Sequence, residues 1–379
     1  MRIIVFSDTF VPYTSGAVRS LLSFAQEMVR RGHQVRYVVP AYPGQPKDED
    51  GVLRLPSLPV PLYPALRVAL PWRPQQVKDW IGLADVFHVH SPFILGLLAL
   101  WVARRGSVQR PVVFTCHSLY EEYARYLPFL SGFFRRLLRH YTVGYCQRVS
   151  LVLAPSHFVQ ERLREWGVKT AIAVLPTGID FTLYGRPPGG KRQTLGLSPT
   201  AKLLVYAGRL AKEKNLPFLL RAFALACRTV GQPLHLLFIG GGPEEKRLRA
   251  LAGTLGLAGC VSWSGVLPHA EVVGWLEEAD LFVFSSLVET QGLVLLEAMA
   301  AGLPVVAVRA PATTELVRDG VDGFLSEERE EQFAAKIKAA LQPEVWGRLS
   351  RGAREKAAAY DQRVLAQQLE GLYLDLVSR

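Results

Sequence analysis

Short apolar runs bounded by glycine, proline and small polar residues alternate along the chain with stretches whose apolar positions recur every three or four residues. The first run, residues 2–7, precedes a loop through Gly16, a helical pattern to about residue 31, and a second run over 34–39. Residues 86–89, 112–116 and 151–154 are further strand-like runs, with helical patterns from about residue 93 and across 133–147 between them. Near-continuous apolar runs of this length suit strands covered on both faces, so the sheet is expected to be parallel. Residues 182–200, rich in glycine and proline, read as a linker. A second series follows, with strands over 202–207, 235–239, 261–263, 281–284 and 305–307 and helices that include 216–229 and 244–255. Residues 362–377 read as a terminal helix. The expected architecture is α/β, with one doubly wound, Rossmann-like domain over 1–182, another over 200–360, and a terminal helix over 361–379 packing back on the first. Such sheets bind ligands outside the carboxyl ends of their strands, so two of them facing one another would enclose a cleft.

The composition changes this picture little. A chain of 379 residues, 49% hydrophobic and 20% charged, is long enough for two cores and is not that of a disordered protein. No stretch reaches the roughly 20 apolar residues of a transmembrane helix, and the first strand starts at residue 2, so no secretory leader is expected. The four cysteines show no CxxC spacing and read as thiols of a reducing compartment, which points to the cytoplasm. His88 and His90 share one face of a strand; without a nearby third ligand, packing or substrate contact explains them better than a metal.

Charge adds a distinction between the halves. Residues 1–190 carry 22 Lys and Arg against 12 Asp and Glu, whereas residues 191–379 carry 22 against 21. Almost the whole net charge of +11 therefore lies in the first half. That asymmetry calls for an acidic partner there, and the apolar segments accompanying it favour an anionic membrane surface over nucleic acid, for which no motif is present. Residues 133–141 place apolar side chains at 133, 134, 137, 138 and 141 with Arg135, Arg136 and Arg139 between them, the pattern of an interfacial amphipathic helix and equally of a helix packed on its own sheet. Residues 55–76 form an apolar, basic loop that contains Arg67, Trp72 and Arg73 and no acid, suited to a membrane or an acceptor channel.

The chemistry concentrates where strand patterns give way to helix patterns. Glu289 and Glu297 bracket Gly292, with an apolar run before them and Leu293, Leu296 and Met299 at helical spacing after it. Gly292 would let a phosphate reach the free N–H groups of that helix, and the two carboxylates would accept hydrogen bonds from vicinal hydroxyls. Gly208-Arg209 ends another strand, with Lys212 and Lys214 close behind, so Arg209 and Lys214 are placed to hold a pyrophosphate. Residues 240–242 form a glycine-rich turn that is not a dinucleotide fingerprint. Gly16, after Ser15, lies in the first strand-to-helix loop, where a phosphate or a simple turn would explain it equally well. His117 ends the strand over 112–116 and leads into Tyr120 and Tyr123; it is placed to bond a sugar or help move a proton.

Together these elements resemble the retaining glycosyltransferases of family four, which have the two-domain GT-B fold, and the resemblance covers nearly the whole chain. The residues that carry it are the Glu-x7-Glu element at 289–297, Gly208-Arg209 with Lys214, and Pro176-Thr-Gly-Ile-Asp180. The resemblance implies that Glu289 contacts the donor sugar, that Glu297 binds ribose hydroxyls, that Arg209 and Lys214 hold the pyrophosphate, and that His117 lies near the sugar. Base recognition is expected near Gly265, Val266 and Leu267, through the backbone. His90-Ser-Pro-Phe93 and the segment from His117 to Tyr123 are similar to elements of the diacylglycerol glucosyltransferases and related lipid mannosyltransferases. Many members have two glycines in the first loop, where this chain has Ser15-Gly16. The implied activity is metal-independent transfer of a hexose, glucose from UDP-glucose in the first instance, to a lipid such as diacylglycerol at the inner face of the membrane. No cofactor is expected beyond the nucleotide sugar. The alternatives are a GDP-mannose-dependent mannosyltransferase, a soluble acceptor, and, from another class, a sugar-nucleotide epimerase.

Overall fold

The computed structural model describes the chain except residues 14, 47, 61–62, 71–79, 81, 83, 106–108, 122–130, 186–188 and 379. The chain divides into two units, Met1–Gly178 with Gln362–Arg379, and Ile179–Asp361.

The strands of the first unit are β1 (Arg2–Phe6), β2 (Gln34–Pro40), β3 (Asp48–Glu49), β4 (Val52–Leu55), β5 (Ser57–Val60), β6 (Tyr63–Ala69), β7 (Val86–Val89), β8 (Val112–Thr115), β9 (Leu151–Ala154) and β10 (Ile172–Val174). Eight of them form one sheet in the order β10-β9-β8-β7-β1-β2-β4-β3, parallel throughout except for the last pair. Alternation sorts the two faces. Phe6, Phe87, Val89 and Phe114 point to a core shared with Leu95 and Tyr145, where Phe114 meets Tyr145 edge-on at 5.0 Å. His88 and His90, one residue out of step, point to the opposite face with Ile3 and Val5, beneath Leu21, Phe24 and Met28 of the helix Gly16–Arg30. That helix starts where it does because Ser15 Oγ accepts a hydrogen bond from the N–H of Val18.

The terminal helix Gln362–Val377 packs beside Gly16–Arg30 on this same face. Gln362 accepts from Ser23 Oγ at 2.9 Å and donates to Glu27 at 3.2 Å. Glu370 pairs with both His33 and Arg31, and Tyr373 is buried against His88. Gly178 lets the departing and returning chains touch, since a Cβ there would lie 2.4 Å from Cα of Gln362.

The second unit contains β11 (Lys202–Ala207), β12 (Leu234–Ile239), β13 (Val261–Gly265), β14 (Leu281–Phe284), β15 (Val305–Val308) and β16 (Gly323–Ser326), all parallel, in the order β13-β12-β11-β14-β15-β16. This is the doubly wound order, which reverses direction between β11 and β14. Its strands are buried on both faces, as their near-continuous apolar sequences require: Leu203, Leu204, Val205 and Tyr206 are wholly buried, as are Leu281, Phe282 and Val283.

Two sequence expectations need correction. The segment read as a loop at 55–76 contains the antiparallel pair β5 and β6. The segment read as a linker at 182–200 is bonded into the second unit. The N–H groups of Lys191 and Arg192 cap the two oxygens of Glu278 at 2.9 and 3.0 Å, and the Arg192 guanidinium pairs with Asp280 at 2.8 Å. Both errors have one cause: proline and glycine mark turns, and they do not reveal bonds to distant partners.

Candidate functional site

In the second unit the strand order reverses between β11 and β14, the place where doubly wound sheets bind ligands outside the carboxyl ends of their strands. β11 runs into Gly208 and Arg209, and the adjacent glycine turn locks this loop. A Cβ on Gly240 would sit 2.0 Å from the carbonyl oxygen of Gly208, and one on Gly242 would sit 2.3 Å from that of Leu210. The approach is sealed by backbone bonds from Gly208 N to Ile239 O (2.9 Å) and from Leu210 N to Gly241 O (3.0 Å). Only residues without a side chain permit such contact. Beyond it, Lys212–Lys214 make one tight turn, which the loop after β14 grips: Ser285 Oγ donates to the carbonyl of Lys214 at 2.7 Å, and Ser286 Oγ to that of Glu213 at 3.4 Å.

This brings Lys214 Nζ to 2.5 Å from Oε1 of Glu289, with each side chain less than a fifth exposed. Arg209 is exposed at the end of the same loop. Gly292, at φ 79°, turns the chain into the helix Leu293–Ala300 in a left-handed conformation that favours glycine. The N–H groups of Leu293 and its neighbours head that helix, where the dipole attracts anions. Four residues on, Glu297 is buried, and its Oε1 lies 3.0 Å from Nε2 of His269, the first residue of the helix His269–Glu278. After β13, Val266 is 77% exposed and Leu267 partly buried. One unit therefore carries Arg209 and Lys214 after β11, Glu289 and Gly292 on the loop after β14, Leu293 and Glu297 on the helix that this loop enters, and Val266 and Leu267 on the loop from β13. Sequence reasoning missed Ser285, Ser286 and His269. A signal for the serines was present, since two hydroxyls follow directly on the apolar run Leu281–Phe284; His269 gave none.

In the first unit the corresponding reversal lies between β1 and β7. Asp8, just past β1, is buried there and bonds across the gap. It accepts from Ser91 Oγ at 2.8 Å and from the N–H of Leu95 at 3.1 Å, while its own N–H donates to Ser91 Oγ at 2.7 Å. Burial pushes its carboxyl up to about 6, against the opposing pull of those hydrogen bonds. Its signal was a lone acid directly after an apolar strand. His117 follows β8, and its Nε2 lies 2.8 Å from Nδ1 of His90, the two ring planes 18° apart. Burial draws His117 down to about 4. Gly16 opens the first helix with nothing within 4 Å of where its Cβ would be, so its backbone is approachable.

The residues expected at an acceptor or membrane surface behave differently from one another. Tyr120 is buried, its ring edge-on to Phe93 at 5.1 Å. Arg67 is held within the β5–β6 pair, donating to Ser57 Oγ at 2.6 Å and to the Ser57 carbonyl at 2.9 Å. Arg139 lies over the ring of Trp166 and bonds the carbonyl of Glu165. Arg135 and Arg136 are exposed. Tyr123, Trp72 and Arg73 lie outside the described residues.

Two family descriptions tile the chain: "Glycosyltransferase Family 4" matches residues 14–183 and "Glycosyl transferases group 1" matches residues 190–360. An alpha-monoglucosyldiacylglycerol synthase of Streptococcus pneumoniae is 31% identical over 86% of this chain and 75% of its own. The enzyme of the same name from Acholeplasma laidlawii is 28% identical over 100% of this chain and 98% of its own. Among solved structures, the Anabaena protein Alr3699/HepE in complex with UDP and glucose superposes with a TM-score of 0.78 at 22% identity, covering 98% of this chain and 99% of that one. The fold is thus GT-B, and the chain belongs to the family-four glycosyltransferases.

Proposed function

We propose that the protein transfers the glucosyl group of UDP-glucose, with retention of anomeric configuration, to the hydroxyl of diacylglycerol at an anionic, cytoplasm-facing membrane surface. The observation that carries this reading is the Lys214–Glu289 pair beside the Gly292 helix start, at the reversal point of a doubly wound sheet. It stands in a chain similar along its length to two proteins named as synthases of that glycolipid. Arg209, Lys214 and the N–H groups after Gly292 receive the diphosphate, Glu297 the ribose hydroxyls, and Glu289 the glucose hydroxyls. The bond from the anomeric carbon to the diphosphate oxygen breaks, the acceptor oxygen bonds to the same face of that carbon, and its proton passes to the departing diphosphate. The fixed cations and the helix N-terminus stabilise the charge left on the diphosphate, so the reading includes activity without a metal.

The membrane part of the reading rests on the surface of two neighbouring helices. Phe133 and Leu137 are 69% and 51% exposed on the helix Ser131–Cys146, beside the exposed Arg135 and Arg136. Leu97 and Trp101 are about half-exposed on the helix Ile94–Arg105. Apolar side chains that face solvent among arginines suit the boundary of an anionic bilayer. Among the described residues no helix is long and apolar enough to cross a membrane.

The test is a product assay by mass spectrometry with anionic vesicles containing diacylglycerol, a chelator, and UDP-glucose, UDP-galactose or GDP-mannose in separate reactions. Hexosyl-diacylglycerol from UDP-glucose is the expected product. Product from GDP-mannose alone would make the protein a mannosyltransferase, and slow nucleotide release without glycolipid would reject the lipid acceptor. Glu289→Ala is expected to lower turnover by about a hundredfold and to leave UDP binding nearly intact; equal loss of both would remove Glu289 from the sugar. Arg135→Glu with Arg136→Glu is expected to weaken sedimentation with anionic vesicles, and unchanged sedimentation would return that helix to a packing role.

A further inference from the structure

β7 and β8 carry a ladder of polar side chains on the face that the first and terminal helices cover. His88 lies on β7 and His90 just past its end, and Thr115 ends β8 with His117 just past it, both pairs at the two-residue spacing of one sheet face. Each rung is a hydrogen bond: His88 Nε2 to Thr115 Oγ1 at 2.7 Å, and His90 Nδ1 to His117 Nε2 at 2.8 Å. The His88 and His90 rings pack with centroids 4.1 Å apart. Tyr373, from the terminal helix, closes the far end with Oη 2.6 Å from His88 Nδ1, and the phenol is wholly buried.

The chemistry of these atoms orders the ladder. A phenol is a stronger donor than an aliphatic hydroxyl, and a buried phenol hydrogen without an acceptor is costly. Tyr373 therefore donates to Nδ1 of His88, which leaves the proton of His88 on Nε2, directed at Thr115. At the next rung two ring nitrogens face one another and share a single hydrogen, so His90 and His117 are held in complementary tautomers. Neither ring can turn over without breaking that bond. All three imidazoles are kept neutral by burial, which draws His88 down to about 3, His117 to about 4 and His90 well below its usual range.

We propose that Tyr373, His88 and His90 are positioning residues that fix the ring orientation of His117 for sugar transfer, His90 through its hydrogen bond and Tyr373 through the His88 ring that packs on His90, which gives the terminal helix a part in the reaction. The proposal rests on the placing of His117 beside the donor sugar.

Nitrogen-15 NMR of labelled histidines reads the bonding state of each ring nitrogen, and the wild-type protein is expected to show one set of His117 signals with Nε2 in the hydrogen bond to His90. Tyr373→Phe keeps the ring and removes one hydrogen bond. It is expected to lower kcat about tenfold with UDP-glucose and diacylglycerol vesicles, a fraction of the cost of gross misplacement. KM for UDP-glucose should stay within about twofold, and the His117 signals should move. His90→Gln, whose amide offers either an oxygen or an N–H, is expected to do the same and supplies the readout if the phenylalanine variant fails to fold. Wild-type kcat with unmoved His117 signals in these variants overturns the proposal. A fall in kcat with unmoved His117 signals also overturns it, since that outcome is a structural effect. His117→Ala separates the two levels: if it transfers sugar normally, the placing of His117 itself is wrong, whereas if it is inactive while Tyr373→Phe and His90→Gln match wild type, only the ladder is wrong.

Discussion

Where its sheet reverses, the second unit presents an ion pair, an exposed arginine and glycine turns, whereas the first unit, at its own reversal, presents imidazoles and a carboxyl that burial drives toward neutrality. Lys214 and Glu289 sit on loops that other loops grip, and both remain partly open to solvent. Asp8, His88 and His90 are buried beneath side chains. The lesson is that one topology provides a location, and the depth of each side chain decides its chemistry. A partly solvated cation stays available for a diphosphate, while a buried imidazole is confined to directional hydrogen bonding.

The largest effect should come from filling the glycine contact of the second unit. Gly242→Ala would drive a Cβ into the Leu210 carbonyl, so it is expected to cost about 3 kcal/mol by thermal or denaturant unfolding and to displace the loop that carries Arg209 and Lys214. Unfolding unchanged from wild type would show that this turn relaxes freely. The first unit should respond instead to pH. His88 and His117 have folded values below their unfolded value near 6.5, so the stability they confer is complete above that pH and is lost as pH falls toward 4. Asp8, raised to about 6, has the opposite sign: its contribution is complete below its unfolded value and is lost as pH rises through 6. The histidines outnumber it. Between pH 6.5 and 4 the first unit should therefore lose on the order of 1 kcal/mol per pH unit, read as faster hydrogen exchange in β7 and β8 than in β11 and β14. Equal loss in both units would erase the contrast. The smallest effect belongs to Gly16→Ala, which meets open space and is expected to change stability by less than about 1 kcal/mol. If transfer nonetheless falls severalfold, a ligand approaches that backbone; if it does not, Gly16 is an ordinary helix start.

Five of the six strands of the second unit were legible in the sequence to within two residues, because strands buried on both faces are apolar without interruption; β16, whose apolar residues are only Phe324 and Leu325, was not. The ladder of Glu289, Gly292 and Glu297 was legible for the same reason, as its residues occupy one strand-to-helix passage. The hairpin of β5 and β6 was not, since its strands hold prolines and no clean alternation. Tyr120, Arg67 and Arg139 showed the right residue types for a surface, and their burial or bonding depended on partners at 93, 57 and 166.

The sequence by itself determined the class of fold, the existence of two parallel series and the strand-to-helix passage that holds the two glutamates, because each is written in local periodicity or in residues close along the chain. Only the tertiary structure decided that Lys214 reaches Glu289, that His269 holds Glu297, and that Tyr373 meets His88 across 285 positions. Such pairings arise when strands and helices far apart in sequence pack side by side, and no local pattern of apolar and polar residues specifies which distant side chain will stand opposite.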